Sequence, residues 1–83
     1  MNKEDLLRRK IIKTIRTYFE INFKNYTNEI DLPFQDHFQK EMELLKVAEK
    51  DGLLHLDDNG FKLTDIGQHL SPHICEIFDA YNS

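Results

Sequence analysis

The 83 residues contain no tryptophan, one cysteine, two prolines and three glycines. The lone Cys75 excludes an internal disulfide and suits a reducing compartment, so a cytoplasmic location is expected. No apolar run approaches the roughly 18 residues that span a bilayer, and no charged-then-apolar segment opens the chain. Neither a membrane span nor a secretory leader is therefore expected. With so few glycines there is no phosphate-cradling loop, and no nucleophile elbow or clustered-cysteine motif occurs. Internal repeats and low-complexity tracts are missing too, which leaves residues 1–83 as one domain without a linker. At 40% hydrophobic and 31% charged the composition is that of a soluble globule. A chain this short buries only roughly 60% of its unfolded surface. It has room for one thin core and none for an enclosed catalytic chamber.

Charge is divided along the chain. Residues 1–26 carry seven Lys or Arg against three Asp or Glu, a balance of +4, and residues 27–83 carry four against twelve, a balance of −8. A basic face can come only from the first helix.

That helix is read from residue 4 to 23, with Leu7, Ile11, Ile15 and Tyr18 recurring at helical spacing, widened by Ile12, Phe19 and Phe23. Arg9, Lys13, Arg16 and Glu20 fall on the opposite side. A short turn of helix is expected near residues 27–31, with Thr27 as its N-cap. Pro33 suits a first helical position, and a third helix runs from there to Lys50, with Phe34, Phe38, Met42, Leu45 and Ala48 along one face. Asp51-Gly52 stops it. A strand from Leu53 to Asp57, the turn pair Asn59-Gly60 with both residues at φ > 0, and a strand from Phe61 to Leu63 then read as a β-hairpin. Thr64 caps the next helix, and Ser71-Pro72 reads as N-cap and first residue of a terminal one, where Ile74, Ile77, Phe78 and Tyr81 share a face. The predicted core is Ile11, Ile15, Phe19, Phe38, Leu45, Leu53, Leu63, Ile66, Ile74 and Phe78. The order helix, short helix, helix, strand, strand, helix describes an α+β fold, mainly α with a small hairpin, of winged helix-turn-helix type.

In the DNA-reading form of that fold, the third helix enters the major groove and the wing lies on phosphates, and both need cations. From Gln35 to Asp58 there are three lysines against seven acids, and the wing tip is Asp57-Asp58-Asn59-Gly60. The charges oppose DNA binding, and fold alone does not set function. His69 and His73 have the spacing of a helical metal pair, but Pro72 lies between them and Cys75 sits among apolar residues. No metal site is expected. His37 and His55 read as surface or boundary residues. The stripe Arg8, Arg9, Lys13 and Arg16 is the candidate face for docking or for carboxylate contact. Arg8 stands apart within it: its helical angle falls in the apolar arc near Ile15 and Phe19, where a guanidinium must find a partner or reach out.

LRRKIIKTI at 7–15, the phenylalanine-rich third helix, KDGLLHLDDNGFKLTDIG at 50–67 and ICEIFDAY at 74–81 occur in this order. Together they resemble the C-terminal domain of oxygen-independent coproporphyrinogen III oxidases, the radical S-adenosylmethionine enzymes of anaerobic haem synthesis. The resemblance implies a larger N-terminal barrel that holds a [4Fe–4S] cluster and S-adenosylmethionine and decarboxylates two propionates of coproporphyrinogen III. It implies that this domain helps cover the barrel mouth. One cysteine cannot hold such a cluster, so by itself this chain is expected to be a non-catalytic lid or docking domain without cofactor, partnered by the barrel of the same protein. Gly67-Gln68 and Pro72-His73 stand where the family tends to show Gly-Arg and Arg-Asn, two cations fewer. The alternative is a winged-helix regulator or a free-standing interaction module acting through protein or DNA contact.

Overall fold

The computed structural model describes residues 3–26, 30 and 32–79. Helix α1 spans Lys3–Tyr18 and buries Leu7, Ile11 and Ile15, one residue per turn of a single face. It stops five residues before the periodicity suggests. Phe19 takes φ 59°, where side chains are rarely found, and its N–H still reaches the Ile15 carbonyl. The chain reverses there into strand β1, Glu20–Asn22, and a turn of 3-10 helix, Phe23–Tyr26. Continuing the helix would have satisfied local hydrogen bonding. The strand wins because β3 offers partners: Leu63 N–H donates to the Phe19 carbonyl, and Phe23 N–H to the Asn59 carbonyl, each at 2.8 Å. Tyr18, assigned to the apolar face, is 69% exposed in consequence. The expected turn near 27–31 and its cap Thr27 lie outside the described residues, except for buried Ile30.

The expected helix from Pro33 to Lys50 is two helices, α2 (Phe34–His37) and α3 (Gln39–Lys50). Pro33 remains outside the first as an extended cap, its carbonyl accepting from the N–H groups of Asp36 and His37. The break falls at Phe38, φ −110° and ψ 45°. There Phe34 stacks on Phe23 at 4.4 Å while Phe38 meets the Phe78 ring edge at 5.5 Å. Ring packing thus accompanies a departure from the uniform helical path.

Gly52, at φ 80°, ends α3, and the hairpin follows: β2 (Leu54–Asp57) pairs with β3 (Gly60–Leu63). The sheet has three antiparallel strands in the order β1-β3-β2, so the expected hairpin gains a third strand along the free edge of β3. Asp57 opposite Gly60 leaves Asp58 and Asn59 as the turn, and Asn59 stays out of positive φ. The Asp57 side chain explains this: Oδ1 accepts from the N–H groups of both Asn59 and Gly60, so an Asx turn replaces the expected geometry. Gly60 is needed because a Cβ there would lie 1.9 Å from the Ile21 carbonyl oxygen.

Thr64 caps α4 (Asp65–His69) as expected, accepting from Gly67 N–H at 3.1 Å while its hydroxyl donates to the Gly52 carbonyl at 2.6 Å. Helix α5 spans Ser71–Ile77, but its cap is Leu70, with Ser71 already helical and Pro72 in the first turn. Only Leu70 separates the two helices, and its N–H still bonds back to Ile66 and Gly67, so no extended serine cap can form. Tyr81 lies outside the described residues. Among the described residues no helix is long and apolar enough to cross a membrane.

Eight of the ten predicted core residues are buried. Phe19 is half-buried at the rim, and Ile66 is 59% exposed. Gly67 accounts for the second: it presses on the Leu53 backbone, and one residue along a helix is a rotation of about 100°, which turns Ile66 outward. The core also takes Phe23, Tyr26, Phe34, Leu54 and Phe61. Leu45→Ala, at a fully buried site, is expected to cost about 2–5 kcal/mol, and Ile66→Ala no more than about 0.5 kcal/mol, in paired urea melts.

Candidate functional site: the two sides of the first helix

The cations of α1 are sorted by helical angle into separate environments. Arg8 points inward. Its Nη2 lies 2.6 Å from Glu41 Oε2, its Nε 3.1 Å from Glu4 Oε1, and its Nη1 donates to the Phe78 carbonyl at 3.3 Å. The guanidinium also lies over the Phe38 ring, 5.1 Å from its centroid. Among the described residues Glu41 is the one buried charged residue. His37 Nε2 sits 2.8 Å from the second Glu4 carboxylate oxygen. Arg8 therefore joins α1 to α3 and to the C-terminus of α5, where helix carbonyls lack partners within the helix. The candidate docking face includes Arg8, whose guanidinium is here engaged by Glu41, Glu4 and the Phe78 carbonyl.

Arg9, Lys13 and Arg16 are exposed. Arg16 lies near α5, close enough to act on Cys75. Burial pushes the Cys75 thiol above its ordinary pKa, and the Arg16 guanidinium partly offsets this. The thiol is buried and donates to the Ile12 carbonyl at 3.8 Å. His69 and His73 are exposed, and His73 Nδ1 is 3.9 Å from Glu76. Among the described residues no three His, Cys, Asp or Glu are placed to hold a metal ion.

On its other side α1 overhangs the outer face of the sheet. An open groove of about 800 Å³ lies between them, with Lys10, Lys13 and Tyr18 on the helix wall and His55, Phe61 and Lys62 on the sheet. Of these, Lys13 belongs to the basic stripe read from the sequence, and Lys10 lies beside it. Lys62 could be recognised only after strand pairing brought β3 beside β1. On α3 and the hairpin, three of the acids counted against DNA have structural work: Glu41 holds Arg8, Glu49 accepts from Leu56 N–H at 2.6 Å, and Asp57 shapes the turn.

A family model described as the HemN C-terminal domain matches residues 1–70. The chain belongs to the HemN C-terminal domain family. It is 33% identical over 81 residues to the oxygen-independent coproporphyrinogen III oxidase of Escherichia coli (strain K12), covering 98% of this chain and 18% of that protein. The namesake from Thermostichus vulcanus is 36% identical over 78 residues, covering 94% of this chain and 24% of that protein. The solved coproporphyrinogen III oxidase (HemN) from Escherichia coli, titled a radical SAM enzyme, superposes with a TM-score of 0.91 at 33% identity. That match covers 98% of this chain and 19% of the solved one. This chain thus spans about a fifth of the length of the enzymes it matches, and its fold is that of the HemN C-terminal domain, mostly helical with a three-stranded antiparallel sheet.

Replacing Arg8 leaves Glu41 buried without a cation. Arg8→Met is expected to cost about 1.5–3 kcal/mol in urea melts, and adding Glu41→Leu should recover part of that, because the stranded carboxylate goes with it. The raised Cys75 pKa has a definite sign: the unfolded thiol loses its proton first as pH rises. This contribution is whole below the unfolded thiol pKa and lost as pH climbs through the folded one. Cys75→Ala should flatten that alkaline fall in melting temperature.

Proposed function

We propose that this chain is the non-catalytic lid and docking domain of a radical S-adenosylmethionine coproporphyrinogen III oxidase. The observation that carries the reading is the match, over 98% of the chain, to about a fifth of a solved enzyme titled coproporphyrinogen III oxidase and radical SAM enzyme. The parent reaction would be the oxidative decarboxylation of two coproporphyrinogen III propionates in porphyrin and haem synthesis. The [4Fe–4S] cluster and S-adenosylmethionine would sit in a barrel domain of the same protein, which is this domain's partner. The residues here do not fit a cluster: Cys75 is a single buried thiol engaged with a backbone carbonyl. This chain would supply cover instead. A rigid domain over the barrel mouth keeps water from a reactive intermediate and completes the substrate enclosure. The reading places the protein in the cytoplasm and gives it no DNA partner, consistent with the acids on α3 and at the hairpin tip.

Arg9, Lys13 and Arg16 form the charged part of the proposed docking face. Their exposure means that charge removal leaves the fold intact, whereas Arg8, partly buried and ion-paired to Glu41 and Glu4, serves as the stability control. In a full-length parent carrying this domain, reversing the three charges should lower turnover at least about tenfold, as expected when several cross-interface ion pairs become repulsive, while domain melting stays unchanged. Turnover equal to that of the unmutated enzyme would reject this face. Production of protoporphyrinogen by the 83-residue chain alone would reject the reading entirely.

A further inference from the structure

The peptide unit between Asn59 and Gly60 is held at both ends. Its carbonyl accepts from Phe23 N–H at 2.8 Å, and its N–H donates to Asp57 Oδ1 at 3.0 Å. The same Oδ1 takes the Asn59 N–H at 2.8 Å. Asn59 itself is exposed, whereas Gly60 is buried. Gly60 pairs with Asp57 on β2 and with Asn22 on β1, and its Cα is pressed so closely on the Ile21 carbonyl that no Cβ would fit. The turn therefore closes two strand pairs at once, with no slack on the β1 side.

An asparagine followed by glycine carries a chemical liability of its own. The glycine nitrogen has no neighbouring side chain to hinder it, and once it has lost its proton to water or hydroxide it can attack the asparagine side chain. A bond forms from Gly60 N to Asn59 Cγ, the Cγ–Nδ2 bond breaks, and the amide nitrogen leaves as ammonia after taking up a proton from solvent. Water then opens the resulting five-membered imide at either of its two carbonyls. One product is aspartate. The other is isoaspartate, whose main chain runs through Cβ and Cγ and is one carbon longer. Water is consumed and ammonia released, with no change of oxidation state.

We propose that Asn59 is a deamidation site held closed by this two-ended clamp, and that its conversion to isoaspartate releases β1 from the hairpin tip. Two effects hold it closed. The Gly60 N–H gives up its proton less readily while bound to a carboxylate, because an anion would form beside an anion. The two hydrogen bonds also fix the peptide plane, which must turn for the nitrogen to reach Cγ. The consequence for β1 follows from the same contacts. In isoaspartate the carbonyl that receives the Phe23 N–H becomes a free carboxylate branching from the main chain. The added carbon cannot be absorbed at Gly60, which already rests on the Ile21 backbone. Phe23, buried and stacked on Phe34 at 4.4 Å, loses its tie to the turn.

The test incubates the full chain and a synthetic peptide of residues 56–62 side by side in warm, mildly alkaline buffer. Ammonia release and peptide mass mapping follow the reaction, and enzymatic methylation marks isoaspartate. The folded chain should react at least about tenfold more slowly than the peptide, because the Gly60 nitrogen is available only when the tip opens. Asp57→Ala should approach the peptide rate. Asp57→Ser keeps a weaker oxygen acceptor without the charge and should fall between the two, and Asn59→Gln should give no product. Dispersed amide spectra establish that each variant is folded, and the serine variant carries the comparison if the alanine one is not. The isoaspartyl form, separated by ion exchange, should show faster amide exchange at Phe23 and Leu63 than the unmodified chain, with α3 unchanged. Equal rates in chain and peptide would overturn the clamp. The native rate in both Asp57 variants would overturn the part given to Asp57, and unchanged exchange at Phe23 would overturn the release of β1.

Discussion

The Arg8 guanidinium holds together what the rest of the molecule arranges around it. A single side chain reaches Glu41 on α3, Glu4 on its own helix and the terminal carbonyl of α5, and rests on the Phe38 ring. Each partner answers a separate physical demand. Glu41 is a buried carboxylate that needs a cation, and the Phe78 carbonyl is a helix-end acceptor with no partner inside the helix. The Phe38 ring offers a cation a favourable face where water is scarce. Arg8 can serve all three because guanidinium presents five N–H donors in a fixed plane, which a lysine does not. The cluster of Phe34, Phe38, Phe61 and Phe78 rings is assembled beneath this clasp.

Once Arg8 is committed to the interior, the remaining cations of α1 must divide between the surfaces on either side of it. Arg16 lies toward α5 and Cys75, and Lys10 and Lys13 toward the sheet. A helix that looks uniformly basic in sequence thereby presents its cations to three environments: an ion-paired clasp, the side toward α5 and the groove beside the sheet. The same economy appears in the acids. Glu41, Glu49 and Asp57 each hold the Arg8 guanidinium or a backbone N–H. Counting charges by segment therefore says little about which charges are available to a partner.

How much was legible can be followed residue by residue. Thr64 as a cap, Gly52 as a helix stop and the hairpin around Asn59-Gly60 were readable because their causes are local: a side-chain oxygen, a missing Cβ, a two-residue turn. The faces of α1 and α3 were readable because burial repeats with helical period. Strand β1 was hidden, since Glu20-Ile21-Asn22 continues an apolar helical pattern and only its pairing with β3 makes it a strand. The break at Phe38 and the outward turn of Ile66 were hidden for the same kind of reason. Each depends on a neighbour distant in sequence, Phe78 in one case and the Leu53 backbone in the other.

By itself the sequence determined the first helix, the helical stretch that ends at Gly52, the hairpin after it and the cap at Thr64, most of the core, the uneven division of charge and the resemblance to the C-terminal domain of coproporphyrinogen III oxidases. It also determined that Arg8 needed a partner, because a guanidinium in an apolar arc cannot be left unpaired. Tertiary structure alone decided that the partner is Glu41, 33 residues away. It alone decided that α1 gives way to a strand at Phe19, and that Lys62 joins Lys10 and Lys13 across a groove. The division follows from the range of the forces. Turn chemistry, capping and helical periodicity act within a few residues and are written in the order of the chain, whereas strand pairing, ring packing and buried ion pairs exist only after distant segments meet.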